Sequence, residues 1–295
     1  MPSAAFRLIQ AISPLALALI VGLPIAACGP AALLNALVPD DGYRVERDLA
    51  YGDAARQRLD LYLPGAVVAP APVVVFFYGG RWVAGSKTDY RFVGEALAAR
   101  GFVVVIPDYR LYPEVRFPTF VEDGAAAVAW VRRNIGRFGG EPWQIHLMGH
   151  SAGAHIAALL ALDRRYLAAA GVEPGTLESF VGLAGPYDFL PLTDATVKRI
   201  FAADDLAATQ PITFAEGSAP RALLLHGGDD RTVLPRNSQH LAAALEAAGG
   251  RAQLRLYPDL DHVALVAALA APLRWLAPVL DDVTGFLRAA PPPSF

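Results

Sequence analysis

The 295-residue chain is poor in several residues on which whole classes of protein depend. Its single cysteine, Cys28, excludes an internal disulfide and a cysteine-rich metal site. Lysine is nearly missing: of 25 basic residues only Lys87 and Lys198 are lysines, and no basic run occurs. With a formal charge of −3, the chain lacks the basic stripe by which a protein holds nucleic acid. There is no repeat of solenoid or propeller length and no Pro/Gly/Ser-rich linker within the body of the chain. Nor is there an H-E-x-x-H, a Walker lysine motif or a dinucleotide glycine fingerprint, so neither a metal nor an organic cofactor is signalled. Apolar material is abundant instead. At 54% hydrophobic residues the chain has enough for one large core and too much for disorder.

Residues 1–27 have the layout of an export signal, with Arg7 as a short positive start and a strongly apolar run from Leu8. The run ends Ile25-Ala26-Ala27-Cys28, which resembles the lipobox of bacterial lipoproteins, where small residues precede a cysteine that becomes lipid-modified and N-terminal. On that resemblance Cys28 is the lipid attachment site and residues 28–42 form a tether. Acyl chains then hold the protein at a membrane, facing the periplasm or the cell exterior. An uncleaved span is the alternative. Residues 12–27 would reach about 24 Å at ~1.5 Å each, short for a hydrocarbon core of ~30 Å. A signal sequence without lipidation, its cysteine free and buried, is a second alternative.

Residues 45–51 and 56–63 alternate apolar and polar side chains across Gly52-Asp53, the pattern of an antiparallel pair at a sheet edge. Short apolar runs at 73–78, 102–106, 145–148, 180–183 and 222–225 fit strands buried on both faces, and 252–257 alternates as a last strand. Between them, 90–99, 120–135, 154–162, 237–248 and 263–279 carry apolar residues three and four apart, the helical spacing. Strand–helix alternation of this kind implies an α/β fold, with a mostly parallel sheet of about eight strands and helices on both faces. It reads as one domain over 43–295. Residues 186–219 fit neither period and form either a small cap over the end of the sheet or a plain surface excursion.

Residues 145–153 read Ile-His-Leu-Met-Gly-His-Ser-Ala-Gly, an apolar strand running directly into G-x-S-x-G, with an alanine-rich helix after it. At such a strand-to-helix turn the serine needs an unusual backbone conformation, and the flanking glycines leave room for it. On this motif the chain resembles the α/β-hydrolase family, in its small esterase branch of hormone-sensitive-lipase-like, feruloyl-esterase-like and isoprenylcysteine-methylesterase-like proteins. The resemblance runs from about residue 43 to the C-terminus. It implies a catalytic order of serine, acid, histidine.

A serine hydroxyl needs an imidazole to take its proton, and the imidazole needs a carboxylate to fix its tautomer. His146 lies in the strand, His150 and His155 flank or follow Ser151, His240 sits mid-helix, and His226 ends a strand and shapes the turn after it. His262 lies in the loop after the last strand, where the family places its catalytic histidine, with Asp261 standing where many members have glycine. The family pattern H-G-x-x-D-x-x-V falls on Asp230 within His226-Gly227-Gly228-Asp229-Asp230. Asp229, one residue away, and Asp188 remain alternatives. Tyr78-Gly79-Gly80-Arg81-Trp82 stands where the family has H-G-G-G, with tyrosine for the histidine and Arg81 for the third glycine. The resemblance implies an oxyanion hole from the main-chain N–H groups of Gly80, Arg81 and Ala152. Trp82 either lines an acyl pocket, as a substrate-binding residue, or packs in the core. Asp108-Tyr109-Arg110 reads as support for the oxyanion loop.

The expectation is therefore a serine hydrolase that cleaves small-molecule carboxylic esters through an acyl-enzyme on Ser151. The same triad could instead cleave an amide, a peptide or an arylformamide. A non-catalytic binding protein on the same fold is a further reading.

Overall fold

The computed structural model describes residues 34–66, 70–173 and 175–289, and the export-signal and Cys28 readings lie outside them. Eight strands form one sheet: β1 (Tyr43–Ala50), β2 (Arg58–Pro64), β3 (Ala71–Phe77), β4 (Val103–Pro107), β5 (Gly140–His150), β6 (Leu177–Leu183), β7 (Arg221–Gly227) and β8 (Ala252–Tyr257). Their spatial order is β1-β2-β4-β3-β5-β6-β7-β8. β1 pairs with β2, and β2 with β4, antiparallel; the other five pairings are parallel. The edge pair and the parallel body thus agree with the alternating and continuous apolar patterns that mark them in the sequence.

Helices α1 (Arg91–Ala98), α2 (Thr119–Asn134), α3 (Ala152–Leu162), α4 (Arg164–Ala169), α5 (Ala195–Ile200), α6 (Arg236–Ala247), α7 (His262–Ala267) and α8 (Val279–Arg288) complete the fold. The register shows how the sheet is covered. Tyr62, Val104 and Val74 lie side by side on one face, and Gly94 of α1 sits against the Tyr62 ring. Phe77, three residues along from Val74, points the other way and meets Gly124 of α2. Helices therefore pack on both faces. All eleven residues of α3 are buried, so this helix is apolar all round and forms part of the core rather than its cover.

One helix expectation fails. Residues 263–279 do not form a single helix: α7 ends at Ala267, a 3₁₀ turn covers Ala271–Leu273, and α8 begins at Val279. Pro272 and Pro278 interrupt the stretch, since each lacks the N–H that a helix interior needs. The apolar spacing persists because Ala268, Leu269 and Ala270 are buried in the core outside any α-helix. No helix among the described residues is long and apolar enough to cross a membrane.

The parallel strands point their C-terminal ends at one rim. Ser151, Asp230 and His262 lie in or at the end of the turns after β5, β7 and β8, and the loop of residues 79–82 follows β3.

Candidate active site

Ser151 stands alone between β5 and α3, with φ 54° and ψ −122°. A non-glycine residue with this backbone is strained by roughly 1–3 kcal/mol and persists only where its surroundings over-determine it. They do so here. The Ser151 N–H donates to the Leu183 carbonyl at the end of β6, 2.9 Å away. A Cβ on Gly149 would lie 2.3 Å from the Gly153 carbonyl oxygen, and one on Gly153 would lie 2.0 Å from that of Phe77. The two glycines of G-x-S-x-G are therefore required by close approach: they let the start of α3 descend onto β3 and lift the serine to the rim.

His262 opens α7, and Asp261 before it caps that helix by accepting from the Val263 and Ala264 N–H groups at 3.0 and 2.8 Å. Asp261 is thus a capping carboxylate. His262 Nε2 lies 2.8 Å from Ser151 Oγ, and its Nδ1 lies 2.7 Å from Asp230 Oδ2. Asp230 divides its oxygens: Oδ1 accepts from the Thr232 and Val233 N–H groups at 2.8 and 2.9 Å, and Oδ2 faces the rings of His262 and His226. Burial alone would raise this carboxyl's pKa. Hydrogen bonds from His226, His262 and the Val233 N–H outweigh burial and hold it below the ordinary carboxylate range. Asp229 is exposed and Asp188 pairs with His240 at 2.6 Å, so neither reaches His262.

The loop after β3 stands across from Ser151: a Cβ on Gly79 would come within 3.0 Å of the Ser151 Cβ. Gly80 takes φ +138°, and a Cβ there would lie 2.1 Å from the Ala84 carbonyl oxygen, which reserves the position for glycine. Arg81 and Trp82 follow with φ 55° and 60°, two left-handed non-glycine residues in succession. Among the described residues the N–H groups of Gly80, Arg81 and Ala152 make no turn or loop backbone bond. The loop is held from below. Asp108 Oδ1 accepts from the Tyr78 hydroxyl and the Lys87 N–H, both at 2.7 Å, and the Tyr109 hydroxyl donates to the Tyr78 carbonyl. Tyr78, in the place of the family's histidine, works as a strut, and Arg110 is engaged with Asp123 behind it.

A cleft of about 350 Å³ opens beside Ser151 and Ala152, walled by Trp82, Phe189, Leu192 and Val197. Trp82 lines this cleft and also packs in an aromatic cluster, its ring 4.7 Å from Phe201 and 5.2 Å from His155. Trp82 thus belongs both to the cleft wall and to the core. Residues 186–219 supply the far wall through Phe189, Leu192 and Val197.

The BD-FAE family model matches residues 59–245, more than half of the chain. The chain belongs to the BD-FAE family. This BD-FAE protein is 35% identical over 268 residues to a probable isoprenylcysteine alpha-carbonyl methylesterase of Oryza sativa subsp. japonica, covering 83% of this chain and 64% of that one. It is 31% identical over 225 residues to the esterase LipC of Mycobacterium tuberculosis, covering 70% and 56%. The chain thus spans roughly three fifths of the length of these curated relatives. Among solved structures, esterase B of Lactobacillus rhamnosis superposes with a TM-score of 0.75 at 22% identity, covering 87% of this chain and 91% of that one. A truncated carbohydrate esterase from gut microbiota gives 0.73 at 21%, covering 85% and 97%. These likenesses show that this BD-FAE chain has the α/β-hydrolase fold.

Three further residues border the site, of which His226 shapes the turn as its place in the sequence suggested. His226 Nε2 donates to the Val233 carbonyl at 2.8 Å and lies 3.2 Å from Asp230 Oδ2, while Ser238 lies 2.7 Å from its Nδ1. His150 Nε2 donates to the His262 carbonyl. Asp194 meets the Arg81 guanidinium at 3.1 Å. For His226 the H-G-x-x-D pattern carried a signal, since it places a histidine four residues before the acid; the other two contacts join segments with no local pattern between them.

Proposed function

We propose that this protein is a carboxylic ester hydrolase in which Ser151, His262 and Asp230 act as a catalytic triad. The observation that carries the reading is the unbroken line from Asp230 Oδ2 through both nitrogens of His262 to Ser151 Oγ, at 2.7 and 2.8 Å. The esterase names of the relatives and the apolar cleft beside Ser151 support it.

In this mechanism the Ser151 oxygen attacks the ester carbonyl carbon as its proton passes to His262 Nε2. Asp230 holds the Nδ1–H and stabilises the imidazolium that forms. The carbonyl oxygen becomes an anion facing the N–H groups of Gly80, Arg81 and Ala152, with the positive end of α3 behind them. When the tetrahedral intermediate collapses, the C–O bond breaks and the alcohol leaves with the proton from His262. Water then enters, gives a proton to His262 and repeats the sequence to release the acid and restore Ser151. One main-chain donor of this kind is worth about 3–4 kcal/mol in the transition state.

Hydrolysis of p-nitrophenyl butyrate, compared with a butyryl p-nitroanilide, tests the reading. Turnover of the ester that is absent in Ser151→Ala supports it. Preference for the anilide moves the protein to the amidases, and no turnover of either by folded protein removes the enzymatic reading. The N-terminal reading extends the proposal to an exported, lipid-anchored enzyme. Palmitate incorporation that is lost in Cys28→Ala checks it.

A further inference from the structure

The walls of the cleft are nearly uncharged. Among the described residues that line it, the ionisable side chains are Arg81 and Asp194, and they face each other with Nη2 and Oδ2 3.1 Å apart. Both remain about half exposed, at 59% and 48%, so the pair stands at the mouth and not in the interior.

Asp194 is aimed rather than free. It caps α5, with Oδ1 accepting from the Thr196 and Val197 N–H groups at 2.9 Å each. One oxygen is anchored by the helix, which leaves the other turned to Arg81. The bond from Val197 is the largest cause of a pKa below the ordinary carboxylate value, against a smaller effect of burial, with Thr196 and Arg81 adding to it. The carboxylate is therefore charged across the neutral range. The Arg81 main chain lies in the left-handed region within the turn that faces Ser151, which roots its side chain at the cleft.

An unpaired guanidinium in this place would draw a carboxylate toward the cleft, since Arg presents a planar fork that matches one. Asp194 Oδ2 already engages one nitrogen of that fork, at 3.1 Å, and neutralises its charge. We infer that Asp194 is a specificity-determining residue: by neutralising Arg81 at the cleft mouth it makes the site favour uncharged esters over anionic ones. The inference rests on the esterase reading above and concerns the charge of the substrate, which that reading leaves open.

Asparagine caps a helix as well as aspartate does, so Asp194→Asn removes the charge and keeps the cap of α5. The probes are ethyl butyrate as the neutral ester, monoethyl succinate with a carboxylate on the acyl side, and butyryl glycolate with one on the alcohol side. Each anionic KM is divided by that for ethyl butyrate in the same variant, so that a general change in the cleft cancels. In Asp194→Asn the ratio falls about fivefold for at least one anionic probe, the size set by a half-exposed ion pair. Salt at 0.5 M erases most of that fall. The double variant R81Q/D194N returns the ratio to the wild-type value. A ratio that D194N leaves unchanged for both anionic probes overturns the inference, and so does a fall that persists in the double variant. Turnover of ethyl butyrate by the wild type reports on the esterase reading itself, so the two can fail separately.

Discussion

His150 Nε2 donates to the main-chain carbonyl of His262 over 3.0 Å, so the residue beside Ser151 holds the backbone of the histidine that faces Ser151. The two rings lie 4.8 Å apart. Burial, with a smaller effect from His262, pushes the His150 pKa down to about 3, which keeps the ring neutral. His150 is thus a structural clamp between two turns separated by 112 positions in sequence.

Removing the clamp should affect kcat more than KM. His150→Ala leaves the His262 carbonyl without its donor and opens space beside it. We expect kcat to fall about tenfold or more, as misplacement of catalytic groups commonly produces, with KM changed less than about threefold. His150→Gln, which can offer an N–H, should recover part of the loss. Steady-state kinetics on butyrate esters checks this; equal effects in both variants would remove the clamp from the account.

The choice between the neighbouring aspartates is open to direct measurement. Asp230 is buried and bonded to His262, whereas Asp229 is exposed. Asp230→Asn should lower kcat by about 10³–10⁴, since the amide favours the wrong histidine tautomer. Asp229→Asn should stay within about twofold of the wild type. A comparable loss in both variants, or a larger one at 229, would reassign the acid.

Lys87 gives a stability prediction. Its ammonium lies 2.8 Å from the buried Asp60 and 2.7 Å from Asp48, joining the segment after β3 to the edge strands. Lys87→Met strands the Asp60 carboxylate, with Arg47 at 3.6 Å as its remaining ion pair. The loss should be about 3 kcal/mol. Urea unfolding measures it, and a loss under about 1 kcal/mol would mean that the pair matters little.

The buried histidines set the response to acid. Burial pushes the pKa of His146 and His155 down to about 4 and that of His150 to about 3. The unfolded chain takes up these protons near pH 6.5, the ordinary histidine value. Between about pH 6.5 and 4 the unfolded state therefore binds more protons than the folded one, and stability falls as the pH is lowered. The fall should reach about 1.4 kcal/mol per pH unit for each histidine. The depressed carboxyl of Asp230 adds a loss of the same sign at lower pH. Urea midpoints at pH 7.5, 6 and 5 should descend steadily, less steeply in His155→Gln; a flat profile to pH 5 would contradict the assignment.

The parts of this molecule that could be read from sequence are those in which one period or one short motif carries the physics. The strand at 73–78 is a continuous apolar run because both faces of β3 are covered, and Ser151 is marked by two glycines whose spacing the close approach of α3 and β3 demands. The beginning of β5 was not legible, because its pairing with β3 starts at Gly140 while Trp143 and Gln144 within it stay exposed. Residues 263–279 mislead because core burial there imitates helical spacing across two prolines. Lys87 with Asp60 and Arg81 with Asp194 join residues 27 and 113 positions apart, and no local pattern links them. The proposed order Ser151, Asp230, His262 came from family resemblance, whereas the hydrogen bonds that join these three residues come from turns brought together only by the sheet.

In the proposed mechanism the Ser151 oxygen is an activated nucleophile. Treatment with a fluorophosphonate followed by peptide mass spectrometry tests it most directly. We expect one adduct, on the peptide containing Ser151, formed quickly by the wild type, absent in Ser151→Ala and slowed by about a thousandfold or more in His262→Ala. No adduct on folded protein, or an adduct at another residue that persists in Ser151→Ala, would contradict the claim.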